Sequence, residues 1–218
     1  MESTAHNNNR LVILLIAGIP LTMILAASWL WFFVMRGDLD LVGMLGTANR
    51  GSLVQPPRQF ADLQLLDDGG HAFVYNDVEP RWMLVVANPA KSCDQDCEHN
   101  LYLTRQIHVA MGKEFSRIRR LYVGGGSPAD TELAVNKLSD EAPLPDTFAD
   151  YLETGHRGLI PLHASAADVA GAFPEQQSDP SVWYLADPAG WVMMTYNSEV
   201  SYKDVISDLK FLLKNSSD

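Results

Sequence analysis

Cysteine is nearly absent from this chain of 218 residues: Cys93 and Cys97 are the only two. A scaffold stapled by several disulfides is therefore excluded. Basic side chains are also scarce, 16 Lys and Arg against 27 Asp and Glu, for a formal net charge of −11. Gripping a phosphate backbone needs a basic face, so no nucleic-acid partner is expected, and the acidity reads as a solubility feature. No internal repeat is present. Gly124-Gly125-Gly126 lacks the lysine that would follow in a phosphate-binding loop, so it reads as a turn. No motif marks a Ser-His-Asp arrangement.

One long apolar run is present. Leu11 to Met35 contains no charged residue. At 1.5 Å per residue such a run spans a hydrocarbon core of roughly 30 Å. Trp29, Trp31, Phe32 and Phe33 gather at its C-terminal end like an interfacial belt, and Pro20 is tolerable in a membrane helix. The run continues past Ala26-Ala27-Ser28, the one candidate signal-cleavage site, which favours an uncleaved anchor. Arg10 precedes the run while Arg36 and Arg50 follow it, so positive charge does not decide the orientation. The expected organisation is a polar tail over 1–10, a transmembrane helix over 11–35, a juxtamembrane linker over 36–59 and a folded domain over 60–218. Roughly 170 residues suffice for a hydrophobic core without staples.

Within that domain, Ala61 to Leu66 and His71 to Tyr75 read as a hairpin about Asp67-Asp68-Gly69-Gly70. Trp82 to Ala87 is a continuous apolar run, as in a strand buried on both faces. A helix is expected from about Asp94 to Gly112, a strand over Ile118 to Val123 and a helix over Asp130 to Leu138. A short helix follows at Phe148 to Leu152, then a strand at Leu159 to Leu162 and a helix capped by Ser165. Val182 to Ala186 and Trp191 to Tyr196 form a closing hairpin. The last helix starts at Ser201, with Asp204 completing a capping box and apolar residues at helical spacing behind it. A buried strand, a crossover helix and a parallel neighbour make a βαβ unit. With the closing hairpin and helix, the plan is α/β and thioredoxin-like.

Both cysteines fall at the loop-to-helix junction directly after the expected central strand. A spacing of four on a helix puts them on one face, roughly 6 Å apart at Cα. Slight fraying of the first turn would then allow a disulfide. The same pair, reduced, offers two thiolates to a soft ion such as Cu(I). The helix N-terminus favours a Cys93 thiolate, whereas Asp94, Asp96 and Glu98 oppose it. A purely structural disulfide and two unrelated buried thiols are the alternatives to thiol exchange or metal binding.

Here the residues carry a resemblance. The strand Met83 to Ala87, the motif Cys93-Asp94-Gln95-Asp96-Cys97, Tyr122 to Thr131 and the hairpin Trp183 to Gly190 resemble the Sco/SenC family of cytochrome c oxidase assembly proteins. The chain is also similar to a divergent group of membrane proteins from bacterial cytochrome oxidase gene clusters, through Leu53 to Pro57 and Cys93-x3-Cys97-x3-Leu101-x3-Arg105-Gln106. The resemblance implies a thioredoxin-like domain on an inner-membrane anchor, facing the periplasm. It implies a role in cytochrome c oxidase assembly through Cys93 and Cys97, by thiol redox chemistry or copper-site maturation. Oxidase subunits or their assembly factors are the implied partners. A general periplasmic thiol-disulfide oxidoreductase, or an interaction protein with a structural disulfide, are the rival readings. The chain departs from the family pattern twice. Asp94 and Glu98 stand where proline usually follows each cysteine. Asp179, eight positions before Asp187, stands where the family has its third copper ligand, a histidine. Of the other histidines, His163 is the best substitute, because His108 lies roughly 16 Å along the helix axis and His99 points to nearly the opposite side.

Overall fold

A computed structural model describes residues 3–35, 49–75 and 79–216. The chain divides into two units, Met1–Ala48 and Asn49–Asp218. The first contains helix α1, Ser3–Met35. Within it Val12–Phe32, 21 residues, is long and apolar enough to cross a membrane. Helical structure thus begins inside the expected polar tail. Residues 36–48 of the expected linker lie outside the described residues.

The second unit is built on one mixed sheet. Its strands are β1 (Ser52–Gln59), β2 (Trp82–Asn88), β4 (Ile118–Gly124), β6 (Leu159–His163), β7 (Trp183–Ala186) and β8 (Trp191–Tyr196), in the order β1-β8-β7-β2-β4-β6. Two short strands, β3 (Ser92–Cys93) and β5 (Glu132–Leu133), pair separately. The helices are α2 (Gln95–Ala110), α3 (Phe148–Gly155), α4 (Ala166–Ala172), α5 (Glu175–Ser178) and α6 (Tyr202–Asn215). β2 pairs in parallel with β4, and β4 with β6; β7 and β8 close the sheet antiparallel.

β2 is central and buried at every residue. Its side chains alternate between two cores, as the twofold period of a strand requires. Leu84 and Val86 join Tyr122, Trp183 and Leu185 beneath Leu101 of α2, Phe148 of α3 and Leu209 of α6. Met83, Val85 and Ala87 join Leu121, Val123 and Tyr184 against Val169 of α4 and Phe173. Ser201 caps α6: its hydroxyl oxygen accepts the Asp204 N–H at 3.3 Å and donates to the Asp204 carboxylate at 2.8 Å.

Three sequence expectations are corrected. Part of the expected linker is β1, so the sheet begins before Phe60. Its pairing with β8 shifts register between Leu53 and Arg58, the interval holding Pro56 and Pro57. Proline has no N–H for a ladder, and an edge strand can accommodate that. The first hairpin turns where expected, with Asp67 N–H donating to the His71 carbonyl at 2.9 Å and Phe73 N–H to the Leu65 carbonyl at 2.8 Å, but it forms the bridge Leu66 to Ala72 in place of a ladder, and Leu66 also bridges to His163 of β6. The helix expected over Asp130 to Leu138 is absent. Ser127 and Pro128 do start a helical turn, but it ends at Asp130 as a 3-10 helix, and the chain then extends into β5.

Candidate redox site

The three parallel strands end along one edge of the sheet, where ligands and chemistry collect in open α/β folds. Asn88, the last residue of β2, organises that edge. It is buried, and its amide nitrogen donates to the Ser92 carbonyl (3.1 Å) and the Tyr122 hydroxyl (3.2 Å). Its amide oxygen accepts the Ala90 N–H at 3.2 Å, and its backbone carbonyl accepts the Gly125 N–H at 2.8 Å. Burial, the dominant cause, pushes the Tyr122 hydroxyl up to about 12. A Cβ on Gly125 would stand 2.4 Å from the Pro89 carbonyl oxygen, so the glycine turn permits this close approach of two loops.

The loop delivers Cys93 into β3, outside the helix. Its partner strand β5 sits alongside, with the Ala134 N–H donating to the Cys93 carbonyl at 2.9 Å and the Glu132 N–H to the Lys91 carbonyl at 3.0 Å. Asp94 is the N-cap of α2, its carboxylate accepting the Cys97 N–H at 3.1 Å. Only Cys97 therefore lies within the helix, which corrects the expectation of two thiols on one helix face. With Cys93 in the extended segment before the cap, the two Cα atoms are 5.2 Å apart and the sulfurs are joined in a disulfide. Both cysteines are buried, Cys93 wholly and Cys97 to within 4%.

Glu98, next to Cys97, is 1% exposed. Its carboxylate accepts from the Ser139 N–H (3.0 Å), the Ser139 hydroxyl (2.6 Å), the Tyr151 hydroxyl (3.0 Å) and the Gln95 side-chain amide (3.3 Å). Such a set of donors is what a carboxylate needs to be tolerated in a core. Burial first, and the Glu98 carboxylate second, hold the Tyr151 hydroxyl above its ordinary range, so it remains a donor.

Asp179, at the expected third-ligand position, follows α5. One carboxylate oxygen accepts from the Ser181 N–H (3.0 Å) and hydroxyl (2.6 Å), and the other accepts from the Asn197 amide at 3.1 Å. The Ser181 hydroxyl is the largest cause holding its carboxyl below the usual range. The adjacent Pro180 carbonyl accepts from the Asn100 amide of α2 at 3.2 Å, so this loop does lean on the helix that carries Cys97. His163 ends β6, with β4 between it and β2. At the usual strand spacing it is roughly 10 Å from β2. His99 Nδ1 lies 3.3 Å from the Ser139 hydroxyl, and His108 Nε2 lies 2.9 Å from the Phe115 carbonyl.

Among the described residues no group of three His, Cys, Asp or Glu is arranged to hold a metal ion. Sulfurs bonded to each other are poor metal donors. Copper does not fit the site in this form, and reduction would supply two soft donors without a third.

The sequence singled out the cysteines but missed Asn88, Ser139 and Tyr151, and it counted Glu98 only as one nearby charge.

No curated protein matches the chain. Among solved structures it is similar to yeast Sco1 with copper bound, at 15% identity and a TM-score of 0.53, covering 79% of this chain and 97% of that one. It is similar to apo Sco1 from Thermus thermophilus at 14% identity and a TM-score of 0.51, covering 77% and 99% of the two chains. ScoI of Arabidopsis thaliana with copper bound matches at 13% identity and a TM-score of 0.50, over 76% of this chain and 99% of that one. At these identities the likeness establishes the fold. Residues 82–216 match the family model described as the transmembrane-like, thioredoxin-like C-terminal domain. The chain belongs to that family and has the Sco fold.

Proposed function

We propose that this protein is a membrane-anchored, Sco-like thiol-redox factor that assists cytochrome c oxidase assembly from the periplasmic side of the inner membrane. The observation that carries the reading is the Cys93–Cys97 disulfide at the turn between the central strand and α2. A dithiol there is placed at the strand edge where this fold class gathers its chemistry. An oxidising compartment suits a paired CxxxC. Cys93 and Cys97 exchange electrons with a partner's thiols: an incoming thiolate attacks one sulfur, the S–S bond breaks, and a mixed disulfide resolves on the second thiol. Solved proteins of this fold hold copper. In this chain copper(I) is at most a cargo held by two thiolates, since Asp179 is already engaged by Ser181 and Asn197.

The test is equilibration of the full-length protein, in detergent, with glutathione redox buffers, followed by thiol mass-tagging. The expected result is two reactive thiols appearing together at a measurable potential. Titration of the reduced protein with Cu(I) and Cu(II), wild type beside Asp179→His, is expected to give modest Cu(I) binding and none of Cu(II). The substitution should strengthen it. A pair that no glutathione buffer reduces makes the disulfide structural. Tight stoichiometric Cu(II) in the wild type would mean that another residue, His163 first, supplies a ligand.

A further inference from the structure

The buried disulfide poses a problem of access. An attacking thiolate must approach the sulfur it displaces, yet Cys93 is wholly buried and Cys97 is 4% exposed. The stretch where a helix was expected pairs with the backbone of the cysteine turn and shares its core. Residues 132–139 run alongside the cysteine turn. At one end Glu132 and Ala134 donate backbone hydrogen bonds to Lys91 and Cys93. In the middle Leu133, Val135 and Leu138 pack into the same core as Cys93 and Cys97. At the other end Ser139 gives both its N–H and its hydroxyl to Glu98.

The two ends differ in kind. The β3–β5 ladder is only two residues long, and short ladders open at low cost. The Glu98 end is charge-assisted and buried, so it is the stronger fastening. Tyr151 of α3 adds a third donor to the same carboxylate, tying the fastening to a rigid element.

We propose that residues 132–139 are a strap over the disulfide and that Glu98 is its latch, a positioning residue that sets how fast an external thiol reaches the sulfurs. The assignment rests on the exchange reading above for its purpose. With the latch closed, the pair is shielded from bulk thiols. A partner that draws on Ser139 or displaces the strap exposes it. The step then opened is ordinary exchange: a dithiol reductant attacks one sulfur and the S–S bond breaks. Its second thiol closes the reductant's own disulfide, and two electrons and two protons are left on Cys93 and Cys97.

Dithiothreitol reduction of the full-length protein in detergent, quenched and mass-tagged, tests this in Glu98→Gln, Ser139→Ala and Glu175→Gln. Glu175 pairs with Arg58 on the opposite side of the sheet and serves as the control. Glu98→Gln and Ser139→Ala are expected to be reduced about tenfold faster or more, the factor that loss of one charge-assisted hydrogen bond corresponds to. Glu175→Gln should keep the wild-type rate. The acceleration must exceed any change in the global unfolding rate, which a merely structural role would move equally. Wild-type reduction rates in both latch variants overturn the proposal. If Glu98→Gln does not fold, Ser139→Ala decides alone. A latch that responds as expected over a pair that glutathione never reduces upholds the strap and overturns the exchange reading.

Discussion

His156, the C-cap of α3, is 1% exposed, and its Nδ1 lies 3.1 Å from the Arg120 guanidinium. Arginine can only donate, so Nδ1 accepts and the ring proton sits on Nε2. Burial first, then Arg120, pushes this imidazole down to about 3 from its ordinary 6.5. Between those values the unfolded chain binds a proton that the folded chain refuses. Stability is therefore at its full value above pH 6.5 and falls as the pH drops toward 3, by at most about 1.4 kcal/mol per pH unit from this group. Urea unfolding at pH 7.5 and 4.5 should show the loss, and His156→Gln, which can still accept from Arg120, should shrink it. An unchanged difference would remove His156 as the cause. Side chains like this one were not legible in the sequence. The pairing of Cys93 with Cys97 was, because two cysteines in an otherwise cysteine-free chain stand four apart at a strand-helix junction. Glu98 looks no different from Asp94 or Asp96 in one dimension; its burial is decided by Ser139 and Tyr151, 41 and 53 residues away.

Elements were legible where one physical signal dominated. β2 showed itself as an apolar run, β7 and β8 as a hairpin about Asp187 to Gly190, and α6 by its cap and periodicity. β1 was not, because its consecutive prolines resemble a linker and its strand character comes from pairing with β8. The stretch after Ser127-Pro128 failed in the opposite sense. Its helix-start signals are real and produce one turn, but β3 recruits the next residues as a partner strand. Tertiary pairing overrides local propensity there. α2 yields a prediction at this scale. Asp94 satisfies the Cys97 N–H in the first turn, so Asp94→Ala should cost about 1 kcal/mol in urea unfolding. No loss of stability would show that the cap is dispensable.

At the scale of the molecule, α1, with its apolar stretch of 21 residues, precedes in sequence a domain with the Sco fold. The charges flanking that helix leave its direction open, and the redox chemistry decides the proposal. Alkaline phosphatase fused after Asp218 should be active in cells. An inactive fusion, with a cytoplasmic reporter active at the same junction, would turn the domain to the other side. The outermost strands hold a further consequence. β1 carries Pro56 and Pro57 and β6 carries Pro161, whereas the four strands between them carry none. A bare sheet rim is a template on which a neighbour's strand can polymerise. Proline at both rims interrupts the row of N–H donors, and Leu66 already occupies part of the β6 side. Two such domains meeting rim to rim then find no unbroken row of donors on which to add a strand.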